Sequence, residues 1–162
     1  MQTFLPYDNY ERTARSLDRM RLGKQRVEVK QILRALREPN YGWKNHPAVK
    51  MWQGYEYGLV CYGIVICGEW RNRGYSDALF DEFHQTRIDI QQELTRQGKG
   101  LFLYPHWLND KLTRSHQSNL KRKDPEHYGN MFPGVPDNIP YYWPTKEPGY
   151  ARPDSGSSRR AA

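Results

Sequence analysis

Residues 15–36, RSLDRMRLGKQRVEVKQILRAL, decide the fold. Leu22, Val29, Ile32, Leu33 and Leu36 recur at helical spacing, so the stretch reads as an amphipathic helix with one apolar stripe turned toward a core. On a neighbouring face Arg21, Lys24, Glu28 and Gln31 stand at steps of three and four, which sets one carboxylate inside a basic and amide-lined row. Two readings are open. The row is a solvated helix face with ordinary i,i+4 pairs, such as Lys24 with Glu28. Or it presents Glu28 to a phosphate-bearing substrate, with Arg21, Lys24 and Arg26 favouring the ionised carboxylate.

Working outward, residues 1–7 are short, apolar and end around a proline, which suits a strand or an extended arm packed on the core. Thr13 or Ser16 is the expected cap of the opening helix, and Gly23 within it marks a bend or a close approach. Pro39 and the following Asn40-Tyr41-Gly42 end the element. Asn45-His46-Pro47 then places a cap residue before a first-turn proline. The periodicity predicts a long helix over 48–73, and its nearly all-apolar middle, LVCYGIVIC, marks it as central and buried. A third helix is expected over 76–97, capped by Ser76, with Asp77, Asp81, Glu82, Asp89 and Glu93 on its outer face. A fourth is expected over 105–121. From 123 onward proline and aromatic residues alternate too densely for a regular helix and too richly for disorder, so an ordered extended wrap is expected. Residues 149–162 are small and polar and read as a disordered tail. The fold class is therefore a compact all-α single-domain bundle built on a long central helix.

The net charge is +7, and it is unevenly placed. Residues 1–38 carry nine Lys/Arg against five Asp/Glu, and 106–123 carry five against one, whereas 39–105 balance at seven each. A fold that joins the two basic segments would make one positive surface suited to a polyanion. Cys61 and Cys67 lie six apart and do not face each other on a helix, so neither a disulfide nor a two-thiol zinc site is expected. With no signal-peptide pattern, a reducing cytosol is the expected compartment. The apolar run 59–67 is too short to span a bilayer. No Walker loop, GxGxxG, GxSxG or histidine pair of metal-binding form is present, so no metal or organic cofactor is expected.

Two further candidates carry polar chemistry. His46, at a helix mouth, either contacts phosphate and shuttles protons or simply caps the helix. Residues 114–128, RSHQSNLKRKDPEHY, gather Arg114, His116, Asn119, Lys121 and Arg122, donor types that position phosphates and read base edges. They read otherwise as a basic helix end under a covering loop. Tyr128, Tyr141, Tyr142 and Trp143 follow, and such rings stack on extruded bases.

The run LDRMRLGKQRVEVKQIL resembles the catalytic helix of the pyrimidine-dimer DNA glycosylases of the phage endonuclease V type. Asn45-His46-Pro47, the run SHQSNLKRKDPEHY and FPGVPD at 132–137 are similar to an actinobacterial and actinophage branch, and the likeness spans 1–144. The resemblance implies an all-α glycosylase domain over 1–148 that acts on damaged pyrimidines in double-stranded DNA. It also implies an N-terminal α-amine that forms a Schiff base with the sugar, an essential glutamate at Glu28, and strand cleavage by β-elimination. Gln2 is too large for usual methionine removal, so the amine falls to Met1. Phosphate contacts fall to Arg21, Lys24, Arg26, Arg114, Lys121 and Arg122, with His46, His116 and Asn119 lining the site. A cytoplasmic monomer without metal is expected. The alternatives are a non-catalytic nucleic-acid-binding protein and an enzyme that acts on modified nucleobases without cutting the strand.

Overall fold

A computed structural model describes residues 1–153. The chain is all-α: α1 (Tyr10–Ser16), α2 (Arg19–Arg37), α3 (Pro47–Trp52), α4 (Glu56–Asn72), α5 (Leu79–Arg96), α6 (Asp110–Lys123) and α7 (Pro125–Tyr128), with a 3-10 turn at Pro144–Lys146. The described residues contain no strand. Leu59, Tyr62, Ile66 and Cys67 of α4 have no exposed surface, and α1, α2 and α5 pack around them. Small residues permit that crowding. A Cβ at Gly63 would lie 2.7 Å from the Val29 side chain of α2 and 3.0 Å from the Phe83 ring of α5. Gly23 marks a close approach, because a Cβ there would sit 2.9 Å from the Trp70 ring.

Two expected helices each divide in two. The opening one breaks after Ser16, whose hydroxyl donates back to Thr13 O instead of capping forward. Leu17 turns extended and buries, and Asp18 caps α2 through Arg21 N. The central helix breaks at residues 53–55, where Gly54 takes φ 86°, a conformation that costs a glycine little. Trp52 and Tyr55 both enter the core across this break. The remaining boundaries move for the same local reason. Asp77, not Ser76, accepts from Phe80 N and starts α5, and Asn109 caps α6. The turn before α6 drives Trp107 inward, where its Nε1 donates to Met51 O at 2.7 Å.

The aromatic wrap contains short helical pieces, α7 and the 3-10 turn, rather than extended chain throughout. Tyr128 in α7 is fully buried, and its hydroxyl donates to Asp18 Oδ1 at 2.5 Å while accepting from Asp18 N, so the wrap is tied to the start of α2. Of the expected tail, residues 154–162 lie outside the described residues. Before them Tyr150 stacks on His106 with centroids 5.6 Å apart, and Pro153 lies over Gly54. No described helix is long and apolar enough to cross a membrane.

Candidate active site

Of the two expectations for the N-terminal stretch, the packed arm holds and the strand does not: residues 2–6 are buried inside the bundle. Gln25 of α2, 1% exposed, holds it in place. Its Oε1 accepts from Phe4 N at 2.9 Å and its Nε2 donates to Gln2 O at 3.0 Å, so one side-chain amide pairs with the arm as a β-neighbour would. The Tyr62 hydroxyl lies 2.8 Å from Phe4 O, Trp52 Nε1 donates to Thr3 Oγ1 at 2.9 Å, and Gln117 Nε2 donates to Pro6 O at 2.8 Å. Leu5 N donates to Nδ1 of His116 at 2.9 Å. The arm is thereby held by side chains from α2, α3, α4 and α6, and Met1 is delivered, partly exposed, at its end.

Glu28 stands one helical turn beyond Gln25. It is 5% exposed, so the solvated-face reading fails for this residue although its predicted pairing forms. Oε1 is 3.7 Å from Lys24 Nζ, and Lys24 itself is largely exposed. Oε2 is buried without a hydrogen-bond partner. An unpartnered carboxylate oxygen in a folded interior is costly and marks a place where a ligand group could complete the shell. His46 shares this region. Burial first, and the N-terminal amine second, push its imidazole below the ordinary value, while Glu28 acts in the opposite direction. Its Nδ1 accepts from Ala48 N at 3.1 Å as the cap of α3, which leaves Nε2 to carry the proton of the neutral ring. The rings of Trp43 and Trp143 meet His46 edge-on at 6.1 and 6.2 Å.

Residues 1–83 of the 162 match the sequence model of a family described as pyrimidine dimer DNA glycosylase. The chain belongs to that family. No curated protein and no solved structure matches it. The matched part of this glycosylase-family chain holds the arm, Glu28 and His46 and ends within α5, so α6 and the wrap lie beyond it.

The other candidate residues divide into two groups. Arg21 is anchored on the cap of α2, 3.1 Å from Asp18 and 4.0 Å from Asp124. Tyr141 packs on Phe4 and His116; burial raises its hydroxyl, and Arg122 and Arg21 both oppose that rise, while the contact of Arg21 with Asp124 joins the start of α2 to the end of α6. Lys24 and Arg114 are exposed. The second group is engaged in the fold. Arg26 pairs with the buried carboxylate of Asp77, an acid expected on the outer face of α5. His116 and Asn119 have no exposed surface. Asn119 donates to Ile139 O and Ser115 O, Ser118 Oγ accepts from Ile139 N, and Ser115 Oγ accepts from Tyr142 N. Lys121 donates to Phe132 O and Val135 O, and Arg122 to Asn119 Oδ1 and Asp137 O. These donors hold the wrap on α6; His116 and Asn119 reach no phosphate unless the wrap lifts. Tyr128, expected to stack on a base, is likewise interior.

Sequence reasoning passed over Gln25, although a signal was present. It lies three residues after Leu22 and four before Val29, an amide inside the apolar stripe, and a buried amide there needs polar partners. Among the described residues no three of His, Cys, Asp and Glu gather in a way that would hold a metal ion.

Proposed function

We propose that the chain excises damaged pyrimidines from duplex DNA and cuts the strand at the resulting site, using the Met1 α-amine and Glu28. The observation that carries this reading is the buried Glu28, with one oxygen unpartnered, which shares the surroundings of His46 with an N-terminus whose lead four helices hold in place. The amine attacks C1′ of the sugar and the bond to the base breaks, the electron pair leaving with the base. Ring opening gives a Schiff base, in which a proton at C2′ is acidic. Its removal expels the 3′ phosphate. Glu28 stabilises the positive charge that develops at the sugar and moves protons. An α-amine is intrinsically less basic than a lysine side chain, which suits it to act as the nucleophile. Lys24 flanks the carboxylate, and Arg21 and Lys24 contact phosphates. His46, neutral and with Nε2–H as donor, positions a sugar or phosphate oxygen.

The test is borohydride trapping on duplex DNA that carries abasic sites or ultraviolet damage. The expected product is a covalent adduct on Met1. Glu28→Gln should slow adduct formation by about 10²-fold or more yet melt at or above the parent temperature, because the change removes a buried, half-satisfied charge. An adduct that forms at the parent rate after N-terminal acetylation, or in Glu28→Gln, overturns these roles. Binding without adduct or nick identifies a non-catalytic DNA-binding protein, and base release without a nick identifies a glycosylase lacking the lyase step.

A further inference from the structure

Trp43 is the only non-glycine residue with positive φ among the described residues, at 68°, and its large ring is 64% exposed. Each feature alone is unfavourable: the left-handed backbone strains a side chain with a Cβ, and the bare indole leaves apolar area in water. The loop nevertheless fixes both. On one side Tyr41 N donates to Glu38 O, and the Arg34 guanidinium lies 4.4 Å over the Tyr41 ring. On the other, His46 N donates to Trp43 O at 2.9 Å, and His46 caps α3. The tip is a built projection beside His46, which shares its surroundings with the amine and Glu28. Residues 39–55 include no acid, and Lys44 and Lys50 are both exposed. On α2, Met20 and Val27 are also exposed, 74% and 48%, on the face that carries Lys24. An apolar ring thrust out of a basic, acid-free rim is complementary to stacked bases between phosphates.

We propose that Trp43 inserts into the base stack of bound duplex DNA and fills the space left when a nucleotide swings out toward Glu28. This rests on duplex DNA being the substrate, as argued under Proposed function. The loop's strain is then a standing preparation: the ring is already outside the fold and need not be expelled on binding. Trp43 is a positioning residue, because it holds the opened duplex and does not touch the reacting sugar carbon.

The experiment uses the full chain and a duplex that contains a tetrahydrofuran abasic analogue flanked by 2-aminopurine. The analogue cannot form a Schiff base, so the signal does not depend on chemistry. The parent chain should change 2-aminopurine emission on binding. Trp43→Ala should abolish that change and weaken duplex binding by about ten- to a hundredfold, the usual effect of losing one aromatic–base stack. Trp43→Phe should restore most of both, and single-stranded binding should not differ between the variants. Trp43→Gly should melt above the parent, since glycine relieves the left-handed strain, and yet fail to perturb 2-aminopurine. Equal emission change and affinity in Trp43→Ala and the parent overturns the insertion, as does absence of duplex binding. A chain that gives no borohydride adduct but shows the Trp43-dependent signal loses the catalytic reading and keeps this one. A chain that traps normally but ignores Trp43 loses this one alone.

Discussion

His116 shows what one side chain can be asked to do. It is wholly buried, and burial pushes its imidazole down to about 3, so it stays neutral and its Nδ1 accepts the Leu5 amide. Its Nε2 has no partner. Because the folded value is depressed below the unfolded one, the unfolded chain takes up more protons, and stability is complete above about pH 6.5 and lost as the pH falls. Between pH 7 and 5 this residue should withdraw about 2 kcal/mol, read as a fall in melting temperature. His116→Asn keeps an acceptor where Nδ1 stood, so the same pH interval should then produce a smaller fall; an unchanged slope would show that another group is responsible. The residue scale also shows where sequence reading stops. Glu28 was legible because one acid among cations is a pattern. His116, Asn119 and Lys121 were legible as donors and acceptors but not as internal ones, since a side chain that serves a backbone group looks in sequence like one that serves a phosphate. Gln25 was written in plain sight within the apolar stripe, and only its partner, an arm more than twenty residues away in sequence, gives it meaning.

At the scale of elements, the helices were legible from periodicity and their ends were not. Ser16 and Ser76 are reasonable caps, but Asp18 and Asp77 lie one or two residues on and hold the amides instead. A strong cap beside a weaker one is decided by which side chain the tertiary packing leaves free to turn back, and that is not a local property. Packing between elements gives a prediction of opposite signs within α4. Gly63→Ala gains helix propensity but drives a methyl into Val29 and Phe83, and should cost about 1–2 kcal/mol. Gly68→Ala gains the same propensity, its nearest outside atom being 3.7 Å away on Phe80, and should stabilise by up to about 1 kcal/mol. Chemical denaturation of the two variants checks this; a Gly63→Ala chain as stable as Gly68→Ala would mean that α2 and α5 yield without loss.

Over the whole molecule, charge is sorted by side. The far side of α2 is neutralised by α5, through Lys30 with Glu82 at 3.1 Å and Arg37 with Glu93 at 3.2 Å. The near side carries Lys24, Lys44 is exposed on the loop before α3, and the basic end of α6 adjoins α2 where Arg21 lies 4.0 Å from Asp124. With about five phosphate contacts on this side, duplex affinity should fall by two to three orders of magnitude between about 50 and 200 mM salt. Lys24→Ala or Arg114→Ala should each lower the slope by about 1, whereas Asp81→Asn on the opposite side should leave it unchanged. A slope untouched by Lys24→Ala and Arg114→Ala would move the DNA to another face.

The buried arm has a consequence for how the protein is made. Residues 2–6 leave the ribosome well before their partners at His116 and Gln117, which are 111 residues downstream. Contacts of such sequence separation close late. Leu5 N and Pro6 O therefore wait without these partners until α6 has emerged. A chain that stops short of α6 should bind chaperones through its arm and lack a positioned amine, so that reactivity at the N-terminus certifies that synthesis has reached the far end.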